Sequence, residues 1–227
     1  MKSVELFTGA GGLALGLQHA GFRSALMVEW DADAHATIVA NAGSGGATHG
    51  WPIRHVDVRD VVFRGLGQID LVAGGPPCQP FSIAGKHRGP DDPRDMWPQA
   101  IRAVRELEPR AFLFENVRGL ARTAFADYLR YIVERLRRPA MVARRGEGWR
   151  THVSRLAHLR VHDGEGPLYR VEVRKINAAD YGAAQKRHRV IIVGVRLDLG
   201  IDWKFPAPTH SRESLIQDQF IEGDYWR

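Results

Sequence analysis

The sequence predicts an α/β fold, a doubly wound and mostly parallel sheet closed by an antiparallel hairpin. Short apolar strands alternate with helical segments along the first two thirds of the chain. A glycine-rich turn joins the first strand to the first helix, and the last two strands are separated by a loop alone. Alternating strands and helices form parallel sheets, whereas strands that follow one another directly pair antiparallel.

The first strand–helix unit carries a candidate ligand site. A strand over residues 4–7 is followed by Thr8-Gly9-Ala10-Gly11-Gly12 and by a helix that begins at residue 13. Such a turn lets a ligand approach the backbone and leaves N–H groups unpaired. The spacing Gly9-x-Gly11-x-x-Ala14 satisfies a loose dinucleotide fingerprint, which by itself is a weak signal. A tight turn without a ligand is the alternative.

Acidic and aromatic residues end the next two strands. A strand over 24–28 leads to Glu29 and Trp30, followed by a helix over 32–41, and a strand over 53–56 leads to Asp57. An acidic residue at the second strand tip is placed to accept hydrogen bonds from a ribose diol. Trp30 can lie against a purine ring, and Asp57 can accept from the exocyclic amine of an adenine. The alternative interpretation is that Glu29 caps a helix and that Trp30 is a packing residue.

The fourth strand, residues 69–73, leads into Gly74-Gly75-Pro76-Pro77-Cys78-Gln79-Pro80-Phe81-Ser82. Three prolines remove backbone donors and stiffen this loop. Cys78 is the only cysteine of the chain, so it forms neither an intramolecular disulfide nor, alone, a zinc site. Because open α/β sheets bind ligands at the strand tips, we interpret Cys78 as a nucleophile rather than a buried, inert thiol.

The next elements lead to a second candidate residue. The polar stretch 85–95 is long and unperiodic, which is typical of a mobile active-site lid. A helix over 96–107 and a buried strand over 111–114 follow. That strand ends in Glu115-Asn116-Val117, which places the Glu115 carboxylate near the other strand tips and hence near Cys78.

The remainder completes the sheet. An amphipathic helix is predicted over 125–136, and the arginine-rich stretch 137–166 is interpreted as a surface insertion. Strands over 168–176 and 190–195 form the closing hairpin, with Gln185-x-Arg187-x-Arg189 before the second strand. The chain is predicted to be extended from residue 205. Residues 1–208 are therefore assigned to one catalytic and cofactor-binding domain, and residues 209–227 to a C-terminal tail.

Composition narrows the class of protein. A chain of 227 residues with 44% hydrophobic and 26% charged residues suits one soluble α/β domain. Since no run of about 18 apolar residues occurs, no membrane span or signal peptide is predicted. One free cysteine suits a reducing cytoplasm. The net charge of +6 is compatible with a polyanionic partner. The ten histidines lack the spacing of metal ligands, so no metal is predicted.

The motifs, taken in order, resemble those of the cytosine-C5 DNA methyltransferases, the modification enzymes of bacterial restriction–modification systems. They are Phe7-x-Gly9-x-Gly11-Gly12, Glu29-Trp30, Asp57, Pro77-Cys78-Gln79, Glu115-Asn116-Val117 and Gln185-x-Arg187-x-Arg189. The resemblance covers about residues 3–210 and implies a Rossmann-like methyltransferase that uses S-adenosylmethionine. The residues it implies for the cofactor are Phe7, Gly9, Gly11, Gly12, Glu29, Trp30, Asp57, Val58 and Pro77. It also implies that Cys78 is the nucleophile and that Glu115 and Arg189 are its partners on the base.

The chemistry of cytosine is consistent with those roles. C5 is a poor nucleophile until a thiolate adds to C6 and gives C5 carbanion character. The charge that develops on the ring is then held at N3, which suits Glu115, and at O2, which suits Arg189. In double-stranded DNA the target base must first be flipped out of the helix.

The resemblance also leaves alternatives open. Family members continue past the closing hairpin into a DNA-reading region, which this sequence lacks. We therefore expect either a second polypeptide that supplies the recognition region or a truncated chain. Methylation of cytosine in tRNA, a catalytically silent DNA-binding subunit and a nicotinamide-dependent oxidoreductase are the other interpretations. The last leaves the Cys78 and Arg189 motifs unexplained.

Overall fold

The computed structural model describes residues 1–43, 45–77, 94–159 and 166–222. Within these residues the strands are β1 (Lys2–Leu6), β2 (Arg23–Glu29), β3 (Ile53–His55), β4 (Leu71–Gly74), β5 (Ala111–Val117), β6 (Tyr169–Asn177) and β7 (His188–Arg196). The α-helices are α1 (Gly12–His19), α2 (Ala32–Ala40), α3 (Trp97–Leu107), α4 (Ala126–Arg137), α5 (Trp149–Ala157) and α6 (Arg212–Gln217). Cys78 and most of the predicted lid lie outside the described residues.

The strands form one sheet in the order β3-β2-β1-β4-β5-β7-β6. The first five strands of this order run parallel, and β7 runs antiparallel to both β5 and β6. The predicted fold class, including the closing hairpin, is thus confirmed. The order reverses beside β1, and ligands of open α/β sheets bind at the carboxyl ends of strands next to such a reversal. The amino end of β7 reaches this same edge of the sheet.

Each face of the sheet is covered by helices. The larger core lies under α3, α4 and α5, and Phe112 and Phe114 are fully buried in it. A smaller cluster lies under α1 and contains Leu17, Leu71 and Ala73. Because alternate residues of a strand point to opposite faces, the apolar strands supply both cores.

The arginine-rich stretch that was interpreted as a surface insertion contains a helix, α5, that the sequence analysis missed. Its Trp149 ring packs against Tyr128 and Tyr131 of α4, with ring centroids 5.7 and 5.9 Å apart. Leu156, on the same side of α5, is fully buried. The apolar residues recur at helical spacing, but the arginines between them lower the mean hydropathy and hide the pattern.

The prediction of an extended chain from residue 205 was also wrong. The structure has α6 and, directly after it, a π-helical turn over Asp218–Glu222. Ser211 caps α6, because its Oγ accepts a hydrogen bond from the Ser214 N–H at 3.0 Å. The division into residues 1–208 and 209–227 stays a prediction.

Two features are absent from the described residues. None of the helices they form is both long enough and apolar enough to cross a membrane. Nor do they bring together three or more histidine, cysteine, aspartate or glutamate side chains that could hold a metal ion.

Candidate active site

A cavity of about 610 Å³ lies at the carboxyl edge of the sheet, beyond the tips of β1, β2 and β3. This volume is typical of a small-molecule site. Six of the nine residues predicted to hold a cofactor line it: Phe7, Glu29, Trp30, Asp57, Val58 and Pro77. They meet because the carboxyl ends of neighbouring parallel strands share one edge.

Glu29 connects the tip of β2 to the glycine turn. Its carboxylate accepts hydrogen bonds from the backbone N–H groups of Gly9, at 2.6 Å, and Asp31, at 2.7 Å. Phe7 and Gly9 both adopt left-handed backbone conformations, with φ of 56° and 58°. That conformation is unfavourable for Phe7 and indicates that the turn is held by its surroundings. Glu29 thereby helps to hold the turn that follows Phe7, and both Glu29 and Phe7 line the cavity.

The glycines of the turn shape it rather than line the cavity. Gly11 has φ of 92°, and a Cβ at this position would lie 2.7 Å from the Trp51 ring. The Trp51 indole N–H in turn donates to Gln18 of α1 at 2.6 Å. Gly11 is therefore required by its backbone conformation and by close packing. Contact of Gly9, Gly11 and Gly12 with a cofactor stays a prediction.

Asp57 lies two residues beyond the end of β3 and is held by Arg59, a neighbour for which the sequence predicted no role. The Arg59 guanidinium donates to the Asp57 carboxylate, with Nε 3.0 Å from both oxygens and Nη2 2.6 Å from Oδ2. These hydrogen bonds hold the pKa of Asp57 below its usual range. The same guanidinium lies over the Trp30 ring, 5.6 Å from its centroid.

His55 has structural contacts at the same edge of the sheet. Its Nε2 lies 2.8 Å from the carbonyl oxygen of Trp30, and its ring stacks on His35 with centroids 5.0 Å apart. His55 thereby helps to fix the backbone of Trp30. The Trp30 side chain itself remains 63% exposed and presents its ring to the cavity.

A second cluster lies where β5 and β7 meet. Antiparallel pairing sets Glu115 opposite Ile191 and Val117 opposite Arg189, so Glu115 and Arg189 are diagonal neighbours on one face. The Arg189 guanidinium forms an ion pair with the Glu115 carboxylate. Arg187 lies farther off, with Nη2 3.9 Å from Oε1 of Glu115. The structure thus brings together two of the three residues predicted for catalysis, Glu115 and Arg189.

The segment 75–77 connects the two clusters. Gly75 and Pro77 line the cavity, and a Cβ on Gly75 would lie 3.4 Å from the Glu115 carboxylate. The buried Asn116 amide donates to the carbonyl oxygen of Pro76 at 3.0 Å, while its oxygen accepts from the Val117 N–H at 2.9 Å. Asn116 therefore fixes the chain two residues before Cys78. Asn116 belongs to the motif Glu115-Asn116-Val117, but the motif alone does not indicate this role.

Asp95, the last residue of the predicted lid, is anchored by hydrogen bonds. Asp95 is buried, and its Oδ1 accepts from the Trp97 N–H at 3.1 Å. The Tyr128 hydroxyl of α4 donates to the other oxygen of Asp95. Burial and the nearby Asp95 charge raise the pKa of Tyr128. The tyrosine thus stays a donor, and Asp95 is tied to the helical layer.

Comparison with known protein families identifies the family to which the chain belongs. The profile of the family described as C-5 cytosine-specific DNA methylase matches residues 1–138 and 158–222. The chain belongs to this family. The matched region leaves out residues 139–157, which contain α5.

Individual relatives and a solved structure that resemble the chain are also named as methyltransferases. The chain is 35% identical over 220 residues to the type II methyltransferase M.NgoMIV of Neisseria gonorrhoeae, which covers 97% of this chain and 60% of the relative. It is 35% identical over 218 residues to M.AquIA of Picosynechococcus, covering 92% and 77%. A structure assigned as a DNA modification methyltransferase of an Escherichia coli prophage superposes with a TM-score of 0.60 at 27% identity, over 90% of this chain and 49% of the other.

These comparisons decide between some of the alternatives. Family membership confirms the predicted resemblance and removes the basis for a nicotinamide-dependent oxidoreductase. The chain spans 60% of M.NgoMIV and 46% of M.PspPI of Psychrobacter, so these relatives contain much that has no counterpart in the match.

Proposed function

We propose that this chain transfers a methyl group from S-adenosylmethionine to C5 of cytosine in double-stranded DNA, with Cys78 as the nucleophile. One observation carries the proposal. In a chain of the cytosine-C5 methylase family, the segment 75–77 borders both the cavity and the Glu115–Arg189 pair. The residue that follows this segment, Cys78, is therefore expected between a cofactor and a base.

The cavity suits S-adenosylmethionine, which contains a purine ring, a ribose diol and a charged amino-acid end. Trp30 offers an aromatic face, and the carboxylates of Glu29 and Asp57 offer acceptors at two neighbouring strand tips. An ionised carboxylate has about four lone-pair sites. Glu29, which already accepts two backbone hydrogen bonds, therefore has capacity for a ribose hydroxyl. When bound, the cofactor supplies an electrophilic methyl group.

The Glu115–Arg189 pair suits the cytosine ring. Addition of the Cys78 thiolate to C6 forms the S–C6 bond and sends an electron pair into the ring, toward N3 and O2. Glu115 supplies the proton that N3 acquires, and the Arg189 guanidinium stabilises the charge at O2. Once C5 is methylated, a water molecule takes the proton from C5, and the electron pair of that C–H bond restores the C5–C6 double bond while the S–C6 bond breaks and the thiolate leaves. N3 returns its proton to Glu115.

We place base-specific recognition of DNA in a region beyond residues 1–222, supplied by a second polypeptide. Reading a sequence needs side chains against base edges, whereas arginine–phosphate contacts give position without sequence information. The described residues account for the sheet, its helices, the cavity and the ion pair. The additional length of M.NgoMIV and M.PspPI supports a recognition region outside the matched residues. The proposal includes a cytoplasmic location, where the single thiol stays reduced.

Covalent trapping tests the reaction. DNA that contains 5-fluorocytosine cannot lose a proton from C5, so the S–C6 bond persists once the methyl group has been transferred. With S-adenosylmethionine at low salt, we expect the wild-type chain to form a complex that survives denaturing electrophoresis. Cys78→Ser should form none, while its affinity for S-adenosylmethionine and its thermal unfolding stay as in the wild type.

Other outcomes would contradict parts of this proposal. Methyl transfer at the wild-type rate by the serine variant would remove Cys78 as the nucleophile. Trapping by 5-fluorocytosine in a tRNA but not in duplex DNA would make RNA the substrate. Specific methylation of one DNA sequence by the purified chain alone would overturn the need for a second polypeptide.

A further inference from the structure

Arg59 contacts two of the groups that we propose for the adenine of the cofactor. Its guanidinium contacts both oxygens of the Asp57 carboxylate, with Nε 3.0 Å from Oδ1 and Nη2 2.6 Å from Oδ2. Its backbone N–H donates to Oδ1 of the same carboxylate at 2.9 Å. The guanidinium also lies 5.6 Å from the centroid of the Trp30 ring. Asp57, Arg59 and Trp30 all line the cavity.

This arrangement constrains the Asp57 carboxylate. A planar guanidinium that meets both carboxylate oxygens fixes the plane of the carboxylate as well as its position. The hydrogen bond from the Arg59 backbone N–H to Oδ1 also restricts rotation of the Asp57 side chain relative to the backbone. The Asp57 side chain is 17% exposed, so one part of it faces the cavity while Arg59 covers another.

The contact with the Trp30 ring also restricts the position of the Arg59 guanidinium. A guanidinium over an indole ring is attracted to the negative face of the ring. At 5.6 Å from the ring centroid, Arg59 leaves too little room for a purine between itself and Trp30, because stacked rings need about 3.5 Å per contact. A purine bound in the cavity therefore does not lie between Arg59 and Trp30.

We propose that Arg59 is a positioning residue that sets the preference of the cavity for a 6-aminopurine, by holding the Asp57 carboxylate where it accepts from the exocyclic amine. The inference rests on the proposed function, because it takes the cavity as the site of S-adenosylmethionine. It goes further by assigning selectivity to a side chain that does not itself bond to the amine.

The experiment compares two ligands by calorimetry: S-adenosylhomocysteine and its analogue that lacks the 6-amino group. We expect wild type to prefer the first by at least about tenfold, the size of one hydrogen bond to a charged group. Arg59→Met, which keeps an unbranched side chain, should reduce this preference to about twofold. Arg59→Lys should restore part of it. Arg54→Met, at another arginine near the tip of β3, serves as the matched control.

A double variant separates positioning from general damage. If Arg59 acts through Asp57, then Asp57→Asn combined with Arg59→Met should be no less selective than Asp57→Asn alone. Equal weakening of both ligands in Arg59→Met, with the tenfold preference kept, would overturn the inference. Tighter binding by Arg59→Met would also overturn it, because Arg59 would then obstruct the site.

A further variant distinguishes this inference from the proposed function. Glu29→Ala should weaken both ligands equally, since Glu29 is assigned to the ribose. If Glu29→Ala weakens them and Arg59→Met keeps wild-type selectivity, only the role of Arg59 fails. If the wild-type chain binds neither ligand, the proposed cofactor site fails as well.

Discussion

Glu29 and Glu115 both lie near the carboxyl ends of strands of the same sheet, yet they are held by contacts with different parts of the chain. Glu29 accepts from the N–H groups of Gly9 and Asp31, both within 20 residues of it. Glu115 pairs with Arg189, 74 residues away, and its neighbour Asn116 bonds to Pro76, 40 residues away. The cofactor side of the edge is thus assembled from local contacts in the parallel half. The base side depends on the closing hairpin, so the two sides should respond separately to substitution.

The largest effect is expected from Glu115→Gln. It removes the carboxylate that holds the proton at N3 and weakens the contact with Arg189, so single-turnover methyl transfer should fall by about 10²- to 10⁴-fold. The affinity for S-adenosylmethionine, measured by calorimetry, should stay within about twofold of wild type. Glu172→Gln on β6 is the control. Equal loss of both properties would mean that the two sides of the edge are not independent.

Glu29→Ala should have the opposite effect. The Gly9 and Asp31 N–H groups lose their acceptor and the ribose loses its partner, so cofactor binding should weaken by about 1–3 kcal/mol. The rate of transfer at saturating cofactor should change little, and Glu29→Gln should retain part of the affinity. An unchanged dissociation constant would assign Glu29 to capping alone.

Asn116→Ala tests the residue that lies between the two sides. Its amide is buried, and its loss leaves the Pro76 carbonyl without that donor, which should lower the free energy of unfolding by about 1–2 kcal/mol. Because the segment 75–77 borders both sides, cofactor affinity and methyl transfer should both decline. Chemical denaturation measures the free energy of unfolding, and Asn116→Asp is the variant with which Asn116→Ala is compared. A decline confined to one property would place the segment on that side alone.

The last prediction concerns helix α5, which lies apart from both sides of the edge. His152 of α5 is buried against Tyr131, and burial together with Arg135 and Arg155 lowers its pKa to about 4. The unfolded chain, with a histidine pKa near 6.5, binds more protons between these values. Stability should therefore fall as the pH drops from about 6.5 to 4, by between about 1 and 3 kcal/mol. His152→Gln should lose this dependence, as measured by urea unfolding at several pH values. Retention of the full dependence would assign it to other groups.

The parallel half of the fold was predictable because its strands are short apolar runs that end in glycine or an acidic residue. Shared strand tips also made the meeting of Glu29, Trp30 and Asp57 predictable. Helix α5 was missed because arginines interrupt its apolar positions. Arg59 was missed because the rotamer that aims it at Asp57 leaves no trace in the spacing of residues. The family resemblance assigned Glu115 and Arg189 to one site, but their ion pair was not predicted, since the register of β5 and β7 cannot be read from either strand alone.

The two edges of the sheet have a consequence for association. An open strand edge offers unpaired backbone groups on which another chain can add a strand, a frequent route to aggregation. Here one edge, β3, is three residues long. The other, β6, carries Arg170, Glu172 and Arg174 at alternate positions of one face. Within the part of the chain that the structure describes, adding a strand to either edge is thereby disfavoured.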